Sequence, residues 1–196
     1  VYLSFGFRLN EETHTYQSLN LLSGVAPPVT YCYFYPNDCP NGLNCFHDLE
    51  SAQSYAVKEA KPLLLDFTGY ACTNCRRMED NVWSQQEVFD LINNHFVLAS
   101  LYVDDRKELP KENQGEITIQ LNDSTKKLKK IITVGDKWAT FEQLKFGKVS
   151  QPHYVLISEY GELLTNPVSY TPDPKEYANW LRCGLDAYQK LKNKEH

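Results

Sequence analysis

Cys72 and Cys75 are separated only by Thr73 and Asn74. Two thiols at this spacing on the opening turn of a helix close a small disulfide ring. A thiolate at the first of them is favoured by backbone N–H groups that lack helical partners. Its pKa falls, and it attacks disulfides at neutral pH. Arg76 and Arg77 follow directly and add positive potential. The same spacing is half of a structural zinc site, which normally takes a second ligand pair. Cys39 and Cys45 have five residues between them and no H-x-x-x-H pair follows, so a redox dithiol is favoured over a metal site.

Two carboxylates bracket the pair. Asp66 lies six residues before Cys72 inside an apolar run, where an unpaired carboxylate is costly and tends to be neutral. Glu79 lies four residues after Cys75, a spacing that puts Cys72, Cys75 and Glu79 along one helix face. Two nearby acids oppose thiolate formation and raise the thiol pKa values, against the helix terminus and the arginines. A thiol kept protonated until a partner docks resists stray oxidation. The plainer alternatives are a solvated Glu79 and an Asp66 held in a turn or an ion pair.

The elements that must position these groups are readable around them. Asp48 caps a helix over 49–60, closed by Lys61-Pro62. Leu63 to Phe67 reads as a buried strand between Pro62 and Gly69. A helix then runs over 72–82, and a second opens at Ser84 with Glu87 three residues on, as in a capping box. Residues 96–103 form the next strand. Residues 116–121 and 128–134 can pair as a hairpin across Asn122-Asp123-Ser124, followed by a short helix over 137–144. A strand over 154–157, a turn at Glu159-Tyr160-Gly161 and a short strand over 162–164 come next. Asp173, with Pro174 at the first helical position and Glu176 behind it, opens the last helix. Strands joined through helices pair in parallel, and the 154–164 pair supplies an antiparallel edge.

The 196 residues carry 42% hydrophobic and 23% charged side chains, ordinary values for a globular domain. A net charge of −5 argues against a nucleic-acid partner recognised through phosphate neutralisation. No apolar run is long enough to span a membrane, and the first residues are not a signal peptide, so a mature or excised piece of a longer chain is expected. Residues 1–45 are irregular, with one or two short strands; the expected division is an extension over 1–47 and a domain over 48–196. Two of Cys32, Cys39 and Cys45 are expected to bridge in an oxidising compartment, as Cys39–Cys45 or Cys32–Cys39. Cys183 is expected to be an incidental, semi-buried thiol on the flank of the last helix. His153 is expected to be a surface or strand residue, and His14, His47, His95 and His196 carry no assignment.

The run Lys61 to Glu79, with Asn81-Val82-Trp83, Leu101 to Asp105 and Gln151 to Leu156, resembles the thioredoxin superfamily. Within it, the run is most similar to the C-terminal domain of DsbD-type thiol:disulfide interchange proteins. The resemblance implies a thioredoxin-like α/β fold over about residues 49–192. Its central mixed sheet would be flanked by helices, with an insertion over about 107–150 before the strand that carries a cis-proline. It implies Cys72 as exposed nucleophile, Cys75 as resolving thiol, Asp66 as the buried acid that handles protons for Cys75, and Glu79 as a second tuning acid. It also implies Pro152 as the cis-proline, with the Gln151 backbone open to a partner strand. Tyr70, Thr73 and Asn74 are candidates to shape the partner surface. No cofactor beyond the Cys72–Cys75 disulfide is implied. Electrons would arrive from a membrane-embedded domain of the same polypeptide and leave to extracytoplasmic thiol proteins, which places the domain, as a monomer, in the periplasm. The alternatives are a stand-alone thioredoxin-like oxidase or isomerase, and a non-catalytic binding module.

Overall fold

The computed structural model describes residues 39–122 and 125–194, together with a pair of two-residue strands, β1 (Leu9–Asn10) and β2 (Thr15–Tyr16), which run antiparallel. Cys32, His14 and His196 lie outside the described residues.

The central sheet is built from β3 (Cys45–Phe46), β4 (Leu63–Thr68), β5 (Val97–Tyr102) and β8 (His153–Ile157), in the order β3-β5-β4-β8. β3 and β4 both run parallel to β5, and β8 is antiparallel to β4, with Asp66 opposite Ser100 on one side and Tyr154 on the other. The fold is thus the expected thioredoxin-like α/β arrangement, a mixed sheet with an antiparallel edge. β3 comes from the stretch before residue 48, read from sequence as part of the extension.

β4 is buried along its whole length, as a central strand covered on both faces must be. Its side chains alternate between two cores. Leu64 packs with Met78, Trp83, Val88, Ile92, Tyr177 and Leu181, so α2 (Thr73–Met78), α3 (Gln86–His95) and α5 (Pro174–Lys192) cover one face. Leu63, Leu65 and Phe67 pack with Ala52, Ala56 and Trp138, so α1 (Leu49–Glu59) and α4 (Val134–Phe146) cover the other. Period-two alternation therefore places Asp66 on the α2 face.

The caps explain most boundaries. Asp48 accepts from the Ser51 N–H, and Asp173 accepts from the Lys175 N–H with Pro174 behind it. Thr133 and Asp136 form a reciprocal capping box, which starts α4 at Val134 and takes that residue away from the expected strand. Ser84 does not cap α3: its hydroxyl donates to the Asp80 carbonyl, and α3 begins one residue past Gln85. The expected helix over 72–82 changes character, since α2 ends at Met78 and a π-helical turn carries Glu79–Trp83. The strand expected at 162–164 is reduced to an isolated bridge from Leu163 to Ile157.

Between β5 and α4, β6 (Gly115–Asn122) and β7 (Thr125–Ile131) form the expected hairpin, with Ile117 opposite Lys129. Of the expected insertion, α4 is part of the packed fold: Trp138, Phe141 and Phe146 join the core of one sheet face. None of the described helices is long and apolar enough to cross a membrane.

Candidate active site

β4 delivers the chain to the site through Thr68, Gly69 and Tyr70. Asp104, just past β5, accepts from the Tyr70 N–H at 2.8 Å and from the Ala71 N–H at 3.0 Å, so a single carboxylate sets the approach. A Cβ on Gly69 would overlap Gln151 Oε1 and come within 2.8 Å of Asp104 Oδ2, so a larger residue there would displace the Gln151 side chain. Cys72 then caps α2, its Sγ accepting from the Cys75 N–H at 3.1 Å. Cys72 and Cys75 are joined as a disulfide, and both are buried, so Cys72 is not the exposed sulfur that the resemblance implied. Thr73 and Asn74 are exposed beside them, and Tyr70 is half-buried, its ring stacked on Tyr102 at 4.1 Å.

The acids are buried as well. Asp66 is 1% and Glu79 7% exposed, which removes the solvated alternative for Glu79. Arg76 lies between them. Its guanidinium meets Glu79 Oε2 at 2.5 Å and donates to Thr68 Oγ1 at 3.1 Å. Sequence reasoning gave Arg76 an open positive field for the thiolate; in the structure it is buried and ion-paired with Glu79, and only Arg77 is exposed. Ser100 Oγ donates to Asp66 Oδ2 at 3.2 Å. Burial pushes the Asp66 carboxyl up to about 7, against the pull of Arg76 and of the Ser100 hydrogen bond. Burial also raises Glu79 well above the usual carboxylate range, opposed by Arg76 and reinforced by Asp66. One guanidinium cannot balance two buried carboxylates, so burial favours the protonated form of each.

The Gln151–Pro152 peptide bond is cis; Gln151 is exposed and Pro152 buried at the head of β8. His153 is a strand residue but not a surface one. It pairs with Phe67 across the sheet and its ring is fully buried against Phe67 and Phe146, on the face opposite Asp66. Among the other cysteines, Cys39 bridges to Cys45, which excludes Cys32–Cys39, and Cys183 is free and exposed rather than semi-buried. Cys39, Cys45 and His47 place donor atoms within 4.8 Å of one another, but two of the three are consumed by that disulfide.

Several groups around the acids were missed. Asn41 Nδ2 donates to the Glu79 carbonyl at 2.7 Å, and His47 Nδ1 lies 3.3 Å from the Ser100 carbonyl. Thus the Cys39–Cys45 loop and the residue after β3 reach the backbone of Glu79 and of Ser100, the hydrogen-bond partner of Asp66. Nothing in local sequence signals a contact between segments so far apart.

The family model for the thioredoxin-like domain matches residues 49–184. The chain belongs to the thioredoxin-like domain family. Solved thioredoxin-fold structures are similar to it in fold. DsbH oxidoreductase superposes with a TM-score of 0.52 at 16% identity, over 74% of this chain and 85% of its own. A thioredoxin from Thermus thermophilus gives 0.47 at 17%, over 70% and 84%. The reduced C-terminal domain of DsbD from Neisseria meningitidis gives 0.46 at 17%, over 70% and 96%. No curated protein matches the chain. Thioredoxin-fold oxidoreductases use the cysteine disulfide itself and need no external cofactor. This thioredoxin-like domain carries a C-x-x-C disulfide at the junction of β4 and α2, an arrangement consistent with thiol–disulfide oxidoreductase chemistry.

Proposed function

We propose that this domain is a protein-disulfide reductase that passes electron pairs by dithiol–disulfide exchange. The observation that carries the reading is the Cys72–Cys75 disulfide at the start of α2, fed by a strand whose buried Asp66 titrates near 7. In the reduced domain the Cys72 thiolate attacks one sulfur of a partner disulfide. The partner S–S bond breaks, a mixed disulfide forms, and the partner's other sulfur leaves as a thiolate that takes a proton from solvent. Cys75 gives its proton to the Asp66 carboxylate, and its thiolate attacks Cys72 Sγ. The mixed disulfide breaks, the second partner thiolate leaves and is protonated, and the domain ends as the Cys72–Cys75 disulfide. Two electrons have moved to the partner.

A carboxyl with a pKa near 7 both accepts and returns a proton at neutral pH, which suits that role. Glu79 tunes Asp66 through Arg76. Tyr70, Thr73, Asn74, Gln151 and Pro152 form the partner surface, with the Gln151 backbone offered to an extended segment. The DsbD-like run from Asp66 to Cys75 supports the finer reading. In it, electrons come from a membrane-embedded domain of the same polypeptide and go to thiol proteins on the periplasmic side. The test is insulin reduction by the pre-reduced domain. Activity that disappears in Cys72→Ser supports the reading; stoichiometric metal binding with no turnover contradicts it.

A further inference from the structure

Glu142 and His153 form a buried pair that the exchange chemistry does not use. Neither side chain is exposed, and Glu142 Oε1 lies 2.7 Å from His153 Nδ1. The same oxygen accepts from the Ser150 N–H at 3.0 Å. Ser150 and His153 flank Gln151 and Pro152. One carboxylate oxygen on α4 therefore holds both ends of the segment whose middle packs on Gly69, three residues before Cys72. Phe67 and Phe146 fix the His153 ring, with centroids at 5.7 and 5.8 Å.

Stability does not account for the pair. Glu142 Oε2, His153 Nε2 and Ser150 Oγ are buried without hydrogen-bond partners. Apolar side chains of similar volume are often as stabilising as a buried polar pair and leave no such atoms.

We propose that Glu142, acting through Ser150 and His153, is a positioning residue that fixes the Gln151 segment for docking of protein disulfides. The proposal rests on the dithiol-exchange reading. Its test compares two substrates of the pre-reduced protein in single-turnover kinetics: insulin, which presents a peptide strand, and hydroxyethyl disulfide, which presents none. In the double variant Glu142→Leu/His153→Phe the half-saturating insulin concentration rises about tenfold, as for the loss of two hydrogen bonds, while the limiting rate stays within about twofold. The hydroxyethyl disulfide rate and the melting temperature hold. Glu142→Gln keeps an oxygen for Ser150 and His153 and behaves as wild type. His153→Phe alone, which spares the Ser150 bond and guards against misfolding of the double variant, gives about a threefold rise. Insulin half-saturation unchanged in both His153→Phe and the double variant overturns the proposal, as does an equal loss on both substrates. Wild-type protein that reduces neither substrate overturns the dithiol reading itself, and the proposal with it.

Discussion

Asp66→Asn removes one titratable proton from the buried face while keeping the side-chain shape and an acceptor for Ser100. Burial lifts this carboxyl from 3.8 to about 7. At about 1.4 kcal/mol per unit, ionising Asp66 costs the folded state about 4 kcal/mol. The folded pKa is higher than the unfolded one, so the favourable contribution is complete below about pH 4 and is lost as pH rises through about 7. Roughly 2.5 kcal/mol of the change falls between pH 5 and pH 8. The substituted asparagine does not titrate, so the variant gains on wild type over that interval by this amount, plus whatever Glu79 gains from losing a neighbouring acid. Urea unfolding of the oxidised proteins at the two pH values measures the gap. Any fixed difference between an asparagine and a protonated aspartate cancels in the comparison. A gap that is equal at both pH values, or that narrows at pH 8, refutes a buried, proton-holding Asp66.

Arg76→Leu leaves Asp66 and Glu79 without their cation, and at pH 8 unfolding free energy falls by about 3–5 kcal/mol. At pH 5, where Asp66 takes up a proton instead, the loss shrinks; an equal loss at both pH values contradicts a buried Asp66 whose charge Arg76 offsets. Asp104→Ala frees the Tyr70 and Ala71 N–H groups and slows insulin reduction more than it lowers the melting temperature; a parallel fall in both counts against a role in setting the site. Gly135→Ala puts a Cβ 2.8 Å from the Val103 and Asp105 carbonyls, backbone that cannot step aside, so thermal unfolding shows a loss of about 1–3 kcal/mol; wild-type stability contradicts that packing.

Much of the site was legible because its signals are local. Leu63 to Phe67 is too apolar and too short for anything but a covered strand, so Asp66 within it stood out. The seven-residue step from Cys72 to Glu79 survived the change from α2 to a π-helical turn, because both keep that face inward. What failed was tertiary. Arg76 looked like a free charge although Glu79 sits three residues on, a spacing at which helical side chains meet; what sequence does not show is that both are buried. His153 looked superficial because its partner Glu142 lies on another element. Cys45–Phe46 joins the sheet by pairing with Leu98 and Ala99, a contact across more than fifty residues that no local pattern announces. Ser84 carried the pattern of a cap but spends its hydroxyl on Asp80.

The reduction potential of the Cys72/Cys75 couple tests the central claim most directly. Equilibration of the domain with a defined thiol–disulfide buffer, read by alkylation and mass, gives the value. A reductant role predicts a potential near that of thioredoxin, roughly −270 mV. A value near −120 mV, at the strongly oxidising end, would contradict it.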